Sequence, residues 1–113
     1  MSLGRTQEDF TYALGKLIVW AYEEQEVRLR TGDMFRDPRA HGKWGEKKGY
    51  GTANSVHKQK LACDLNLFIN GEWITDSQHP TWKTLHGHWE TLGGAKMIPN
   101  DANHFSFAYG EYR

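Results

Sequence analysis

Only one thiol, Cys63, occurs among the 113 residues, so no internal disulfide can form and no thiolate cluster can hold a metal. An excess of either charge is missing too. Fourteen Lys and Arg balance fourteen Asp and Glu, which removes the electrostatic footprint expected of a nucleic-acid partner. No apolar run is long enough to span a bilayer, so membrane insertion is not expected. The N-terminus lacks the charged start, apolar run and small-residue cleavage site of a secretory signal, and the expectation is a product made in the cytoplasm. Folding must rest on packing and on any bound metal.

What is abundant is aromatic surface. Aromatic residues make up 13% of the chain, five of them tryptophan, which argues for a folded globule rather than a disordered tail. The length suits one small domain covering residues 1–113. From Thr6 to Gln25 the residues Phe10, Leu14, Leu17, Ile18 and Ala21 recur at helical steps, predicting an amphipathic helix with a weak cap at Thr6 and Asp9. Val27 to Thr31 alternates as a short strand. The stretch from Gly32 to Asn54 is irregular and rich in Gly, Lys and Arg, and such a loop suits one wall of a cleft.

Leu61 to Phe68 alternates more cleanly. Leu61, Cys63, Leu65 and Leu67 fall on one face, and Ala62, Asp64, Asn66 and Phe68 on the other. Asn70-Gly71 is a tight-turn signal, so Glu72 to Thr75 is expected to return as the second arm of a hairpin. A second helix is predicted from Thr81 to Leu92, stopped by Gly93 and Gly94, and a last strand from His104 to Tyr109. Helices with a small antiparallel sheet give an α+β class.

The polar residues of interest sit in Ser55 to Leu65 and in Asp101 to Phe105. Zinc takes imidazole nitrogen and carboxylate oxygen, and catalytic sites commonly use three protein ligands with one position open. His57, Asp64 and His104 supply such a set if the chain bends at Lys58 to Lys60, because seven extended residues span roughly 23 Å. Ala62, on the Asp64 face, would leave room for metal and substrate. Asp101, three residues before His104 in a turn-forming run, suits a general base. On spacing alone, the reading that leads is the ordinary one, in which the same His and Asp are polar groups of the surface or core.

His57-x6-Asp64 followed by Asp101-x-x-His104 resembles the zinc peptidases that include D-Ala-D-Ala carboxypeptidases, vancomycin-resistance dipeptidases and phage L-Ala-D-Glu endolysins. Ser55, His57, Ala62 and Asp64 fall in register with the family's first motif, with Lys60 where Gly is usual. Gly93-Gly94, then Asp101, His104 and Phe105, resemble its second motif, with Leu92 in place of a preceding aromatic. The resemblance implies a hedgehog-like DD-peptidase fold. It also implies a Zn2+ on His57, Asp64 and His104, and Asp101 as the base that activates water. Thr31 to Arg36 is similar to a family segment whose arginine binds substrate and stabilises the oxyanion, which points to Arg36, with Arg39 as the alternative. Ser55 would support substrate or a ligand by hydrogen bonding.

The implied function is hydrolysis of a peptidoglycan stem-peptide amide by a monomeric phage or prophage endolysin. It would be made in the host cytoplasm and act on the cell wall after release. Two rivals stand beside it: a cell-wall cysteine peptidase using Cys63, and a non-catalytic, metal-stabilised wall-binding module. His79, His86 and His88 are set aside as ligands, Glu90 as a surface carboxylate, and Trp82 and Trp89 as packing residues. Trp44 and Tyr50, in the long loop, are candidates to touch a substrate, a point the sequence leaves open.

Overall fold

The computed structural model describes residues 2–48 and 53–113. Helix α1 (Leu3–Glu24) is longer at its start than its apolar period suggested. Ser2, not Thr6, is its cap: the Ser2 hydroxyl accepts from the Arg5 N–H at 3.1 Å, satisfying a donor that the first turn leaves open. Its buried face carries Phe10, Leu14, Leu17 and Ala21 of the expected stripe together with Ala13, while Ile18 is only partly buried.

Strand β1 (Arg28–Thr31) follows, then a single helical turn α2 (Pro38–His41) inside the irregular segment. A 3₁₀ turn (Val56–Gln59) leads into the long strand β2 (Ala62–Ile69). The hairpin partner β3 (Glu72–Ile74) comes next, then α3 (Pro80–Thr91) and β4 (His104–Ser106). Asn70 and Gly71 both have positive φ, 50° and 82°, as a two-residue turn matched to strand twist requires.

All strand pairings are antiparallel and all involve β2. Its C-terminal half pairs with β1, from Arg28 against Phe68 to Thr31 against Leu65, and with β3 on the other edge. Its N-terminal half pairs with β4, setting Ala62, Cys63 and Asp64 against Ser106, Phe105 and His104. The α+β class and the small antiparallel sheet follow directly.

Cys63, Leu65 and Leu67 enter the core with Trp82, Leu85 and Trp89 of α3 and the inner face of α1. Trp89 is fully buried and meets Phe10, Phe105 and Phe107 ring to ring at 5.5–6.0 Å. Such aromatic contacts carry much of the core of a small domain. The final strand ends sooner than the alternation suggested. Beyond Ser106 the chain leaves the sheet, and Tyr109 instead bridges to Tyr112 and packs on Trp44. No helix is long and apolar enough to cross a membrane among the described residues.

Candidate metal centre

Strand pairing brings two of the three proposed ligands together. Asp64 and His104 are direct cross-strand partners, a relationship that holds Cβ atoms roughly 4.5–5.5 Å apart. The third arrives through the bend. Val56–Gln59 forms the 3₁₀ turn, with the Ser55 hydroxyl accepting from the His57 N–H at 3.3 Å. Lys60 then reverses the chain in the left-handed region at φ 58°, ψ 35°, so that Leu61 N–H donates to Val56 O. This is where the resembled family has Gly, and the backbone here takes the conformation that glycine adopts at least cost.

His57 Nε2 lies 3.3 Å from Asp64 Oδ1, and His104 Nδ1 lies 3.6 Å from the same oxygen. The two imidazoles are 5.1 Å apart, centroid to centroid. Ligands at about 2.0–2.2 Å from a tetrahedral ion are separated by about 3.3–3.6 Å, so both spacings match one edge of such a site. One ligand atom from each residue lies within 4.8 Å of the others, and this is the one such group of three among the described residues.

Tautomer control points the same way. His57 Nδ1–H donates to the Met34 carbonyl at 2.8 Å, which leaves the Nε2 lone pair directed at the shared position. His57 Nε2 is buried and has no hydrogen-bond partner among the described residues. A buried nitrogen lone pair without a donor is the kind of atom a cation satisfies. The buried His57–Asp64–His104 group is therefore able to hold a metal ion.

Burial pushes the Asp64 carboxyl up, but the His104 and His57 imidazoles beside it outweigh burial and hold the group below the usual carboxylate range. Asp64 is thus a standing anion at any physiological pH. Its main chain is locked as well: Gly32 N–H donates to Asp64 O and Asp64 N–H to Asp33 O, each at 2.7 Å. A side chain on Gly32 would bring its Cβ to 3.2 Å from the Asp64 Cβ, so the close approach of the two strands needs a small residue there.

These ligands line a cavity of about 610 Å³ together with Arg36, Ser55 and Asp101. Arg36 donates through Nη1 to Ser55 Oγ at 3.0 Å, and its Nε lies 3.5 Å from Asp33. Its backbone N–H donates to His57 O at 3.2 Å. Arg39 is elsewhere. It is exposed and clamps Asp37 at 2.7 Å, holding that carboxyl down at about 2. Asp101 is exposed on the cavity rim, tied to the last ligand by the His104 N–H donating to Asp101 O at 3.1 Å.

Some expectations need correction. Ala62 does not open space beside the metal; it is 1% exposed and packed in the core, because β4 and the 3₁₀ turn close over this end of β2. Trp44 packs against Tyr109 and Tyr112 instead of lining the cavity, and Tyr50 lies outside the described residues. The irregular segment does form a wall, through Arg36, Ala53 and Asn54. Cys63 is fully buried and its thiol is pushed up to about 12, first by burial and then by the Asp64 charge, so it offers no thiolate at neutral pH.

The other histidines have structural places. His79 caps α3 by accepting from Thr81 N–H, His88 stacks on Trp20, and His86 stacks on Phe105 while donating to Ala102 O at 2.7 Å. One contributor escaped the sequence reading. Lys58 is buried, and its ammonium donates to the carbonyls of Lys43, Glu46 and Ala53, tying the cavity wall to the turn that carries His57. Nothing in the composition of that loop signals a lysine held by three backbone oxygens.

Comparison of the chain with protein-family models and with curated proteins finds no match.

Proposed function

We propose that this chain is a zinc peptidase of the hedgehog-like DD-peptidase fold that hydrolyses an amide bond of the peptidoglycan stem peptide, of the L-Ala-D-Glu or D-Ala-D-Ala type. The observation that carries the proposal is the meeting, on one cavity, of three ligand atoms within 4.8 Å of one another, both histidines at tetrahedral spacing from Asp64, with a guanidinium and a carboxylate that are not ligands. A structural zinc site is commonly closed by four protein ligands, whereas three leave a position open for water.

His57, Asp64 and His104 would hold the ion. A zinc ion at such a site supplies a Lewis acid and makes water far more acidic. Asp101, on the rim, takes the proton of the attacking water and passes it to the departing amine nitrogen. The water oxygen ends on the carbonyl carbon as the amide C–N bond breaks. Arg36 stabilises the negative charge that develops on the carbonyl oxygen, held in place by Ser55 and by its own backbone bond to His57. Met34 fixes the imidazole of His57 in the ligating tautomer.

A phage or prophage endolysin, released on the cell wall at host lysis, is the setting that best suits such an enzyme. The test is Asp101→Asn. This variant is expected to bind one zinc per chain with unchanged affinity while losing at least about 10²-fold in turnover of wall fragments. Unchanged turnover would remove the peptidase reading and leave a metal-stabilised binding module.

A further inference from the structure

Asp101 belongs to two cavities. Besides the one at the ligands, it lines a second of about 200 Å³ on the side of the β2–β3 hairpin, with Asn66, Trp73, Ser77, Trp82 and Asn103 among its walls. A volume of that size is below the roughly 300–1,000 Å³ of pockets that enclose a whole small ligand. By size it suits one substrate residue, and the shared carboxylate joins it to the metal centre.

Its polar groups are unspent. Trp82 is 3% exposed, yet its indole N–H is buried with no hydrogen-bond partner among the described residues. A buried donor left in that state is unfavourable unless something accepts from it. Asn103 donates to Asn66 Oδ1 at 3.4 Å, which leaves the Asn66 N–H groups and the Asn103 carbonyl to face a ligand. Trp73, 57% exposed, adds an apolar platform at the rim. These are the partners of a neutral amide: donors for its oxygen, an acceptor for its N–H, and a surface for its carbon atoms.

Charge gives the cleft a direction. Among the described residues Asp101 is the one titratable side chain on the second cavity, whereas the first sets Arg36 and Arg113 beside Asp64 and the shared Asp101. A carboxylate finds no cation at the second cavity to offset Asp101, and finds guanidinium partners at the first. We infer that the two cavities form one two-ended cleft in which the second binds the neutral, N-acylated side of a peptide, with the carboxylate-bearing side lying over Arg36. Occupation on both sides of the cleaved bond makes the enzyme an endopeptidase. The assignment of the bond rests on the peptidase reading above; the binding of a neutral amide does not.

The experiment follows the indole N–H resonances of the zinc-loaded, ¹⁵N-labelled chain, with Trp82 assigned through Trp82→Phe. N-acetyl-L-alaninamide and its carboxylate counterpart, N-acetyl-L-alanine, are titrated in parallel. The amide is expected to shift Trp82 and the Asn66 and Asn103 side-chain resonances together and saturably, leaving Trp20 unmoved. The carboxylate should bind at least about fivefold more weakly, roughly 1 kcal/mol. Asn66→Ala or Trp73→Ala should weaken the amide by at least about threefold without altering the rest of the spectrum, roughly 0.7 kcal/mol. A Trp82 resonance that neither probe moves, or equal binding of both, overturns the inference. Amide binding in a chain that cleaves no wall fragment would refute the peptidase reading and leave the subsite standing. Cleavage with an unmoved Trp82 would do the reverse.

Discussion

Gly94→Ala tests how the helix α3 hands the chain to the strand that carries His104. A Cβ at Gly94 would lie 2.1 Å from Trp89 Nε1, 2.2 Å from Cδ1 and 2.4 Å from Cε2. Non-bonded heavy atoms settle at about 3.5–4.0 Å, so the indole must retreat by more than about 1 Å. Trp89 has little room to retreat, being fully buried among Phe10, Phe105 and Phe107. Its N–H also donates to Ser106 O at 3.0 Å, the oxygen that the Ala95 N–H shares at 2.9 Å. Overpacking of this kind costs about 1–3 kcal/mol, and loss of the indole hydrogen bond about 1 kcal/mol more. Urea unfolding of the metal-free chain should therefore show Gly94→Ala less stable by about 2–4 kcal/mol. Gly87 supplies the control. It lies inside α3 with open space at its Cβ position, so Gly87→Ala should stabilise by about 0.5–1 kcal/mol. A Gly94→Ala variant within about 0.5 kcal/mol of wild type would refute the packing argument.

Other perturbations address the turn, the loop and the core histidine. Lys58→Met keeps the aliphatic stem but withdraws the ammonium from three carbonyls. Relief of ammonium burial offsets part of the lost charged hydrogen bonds, leaving a net loss of about 1–3 kcal/mol. Tryptic cleavage after Lys47 and Lys48, followed by mass spectrometry, should also accelerate, and an unchanged rate would contradict the clamp. Lys60→Gly relieves the positive φ and should raise stability by about 0.5–1 kcal/mol in thermal unfolding; a loss would show that Lys60 contributes more than its backbone strain.

Burial lowers the His86 pKa from its ordinary 6.5, and the bond to the Ala102 carbonyl offsets this only in part. The unfolded chain then takes up that proton at a higher pH than the folded chain does. Stability linked to His86 is complete above about 6.5 and is lost as pH falls from there towards the folded value. His86→Leu should flatten the stability profile between about pH 7 and 5 relative to wild type, and an equally steep profile would contradict the assignment.

Features carried by local pattern were legible in the sequence. The apolar stripe of α1, the Asn70-Gly71 turn and the core face of β2 depend on spacing and backbone conformation alone, and the structure bears them out. The bend between His57 and Asp64 was required by simple reach, and Lys60 at φ 58° supplies it. What escaped depends on contacts distant in sequence. The carbonyls around Lys58, the Met34 oxygen on His57 and the Gly32–Asp33 backbone around Asp64 follow no periodicity. Ala62 was misjudged because alternation assigns a residue to a face without telling what covers that face.

The most direct test of the central claim is digestion of purified peptidoglycan by the zinc-loaded chain and by the same chain after chelation, with new termini identified by mass spectrometry. The account predicts that a single type of stem-peptide amide is opened by the loaded protein, that chelation abolishes the product, and that added zinc restores it. Absence of any new terminus with zinc bound, or an equal yield after chelation, would contradict it.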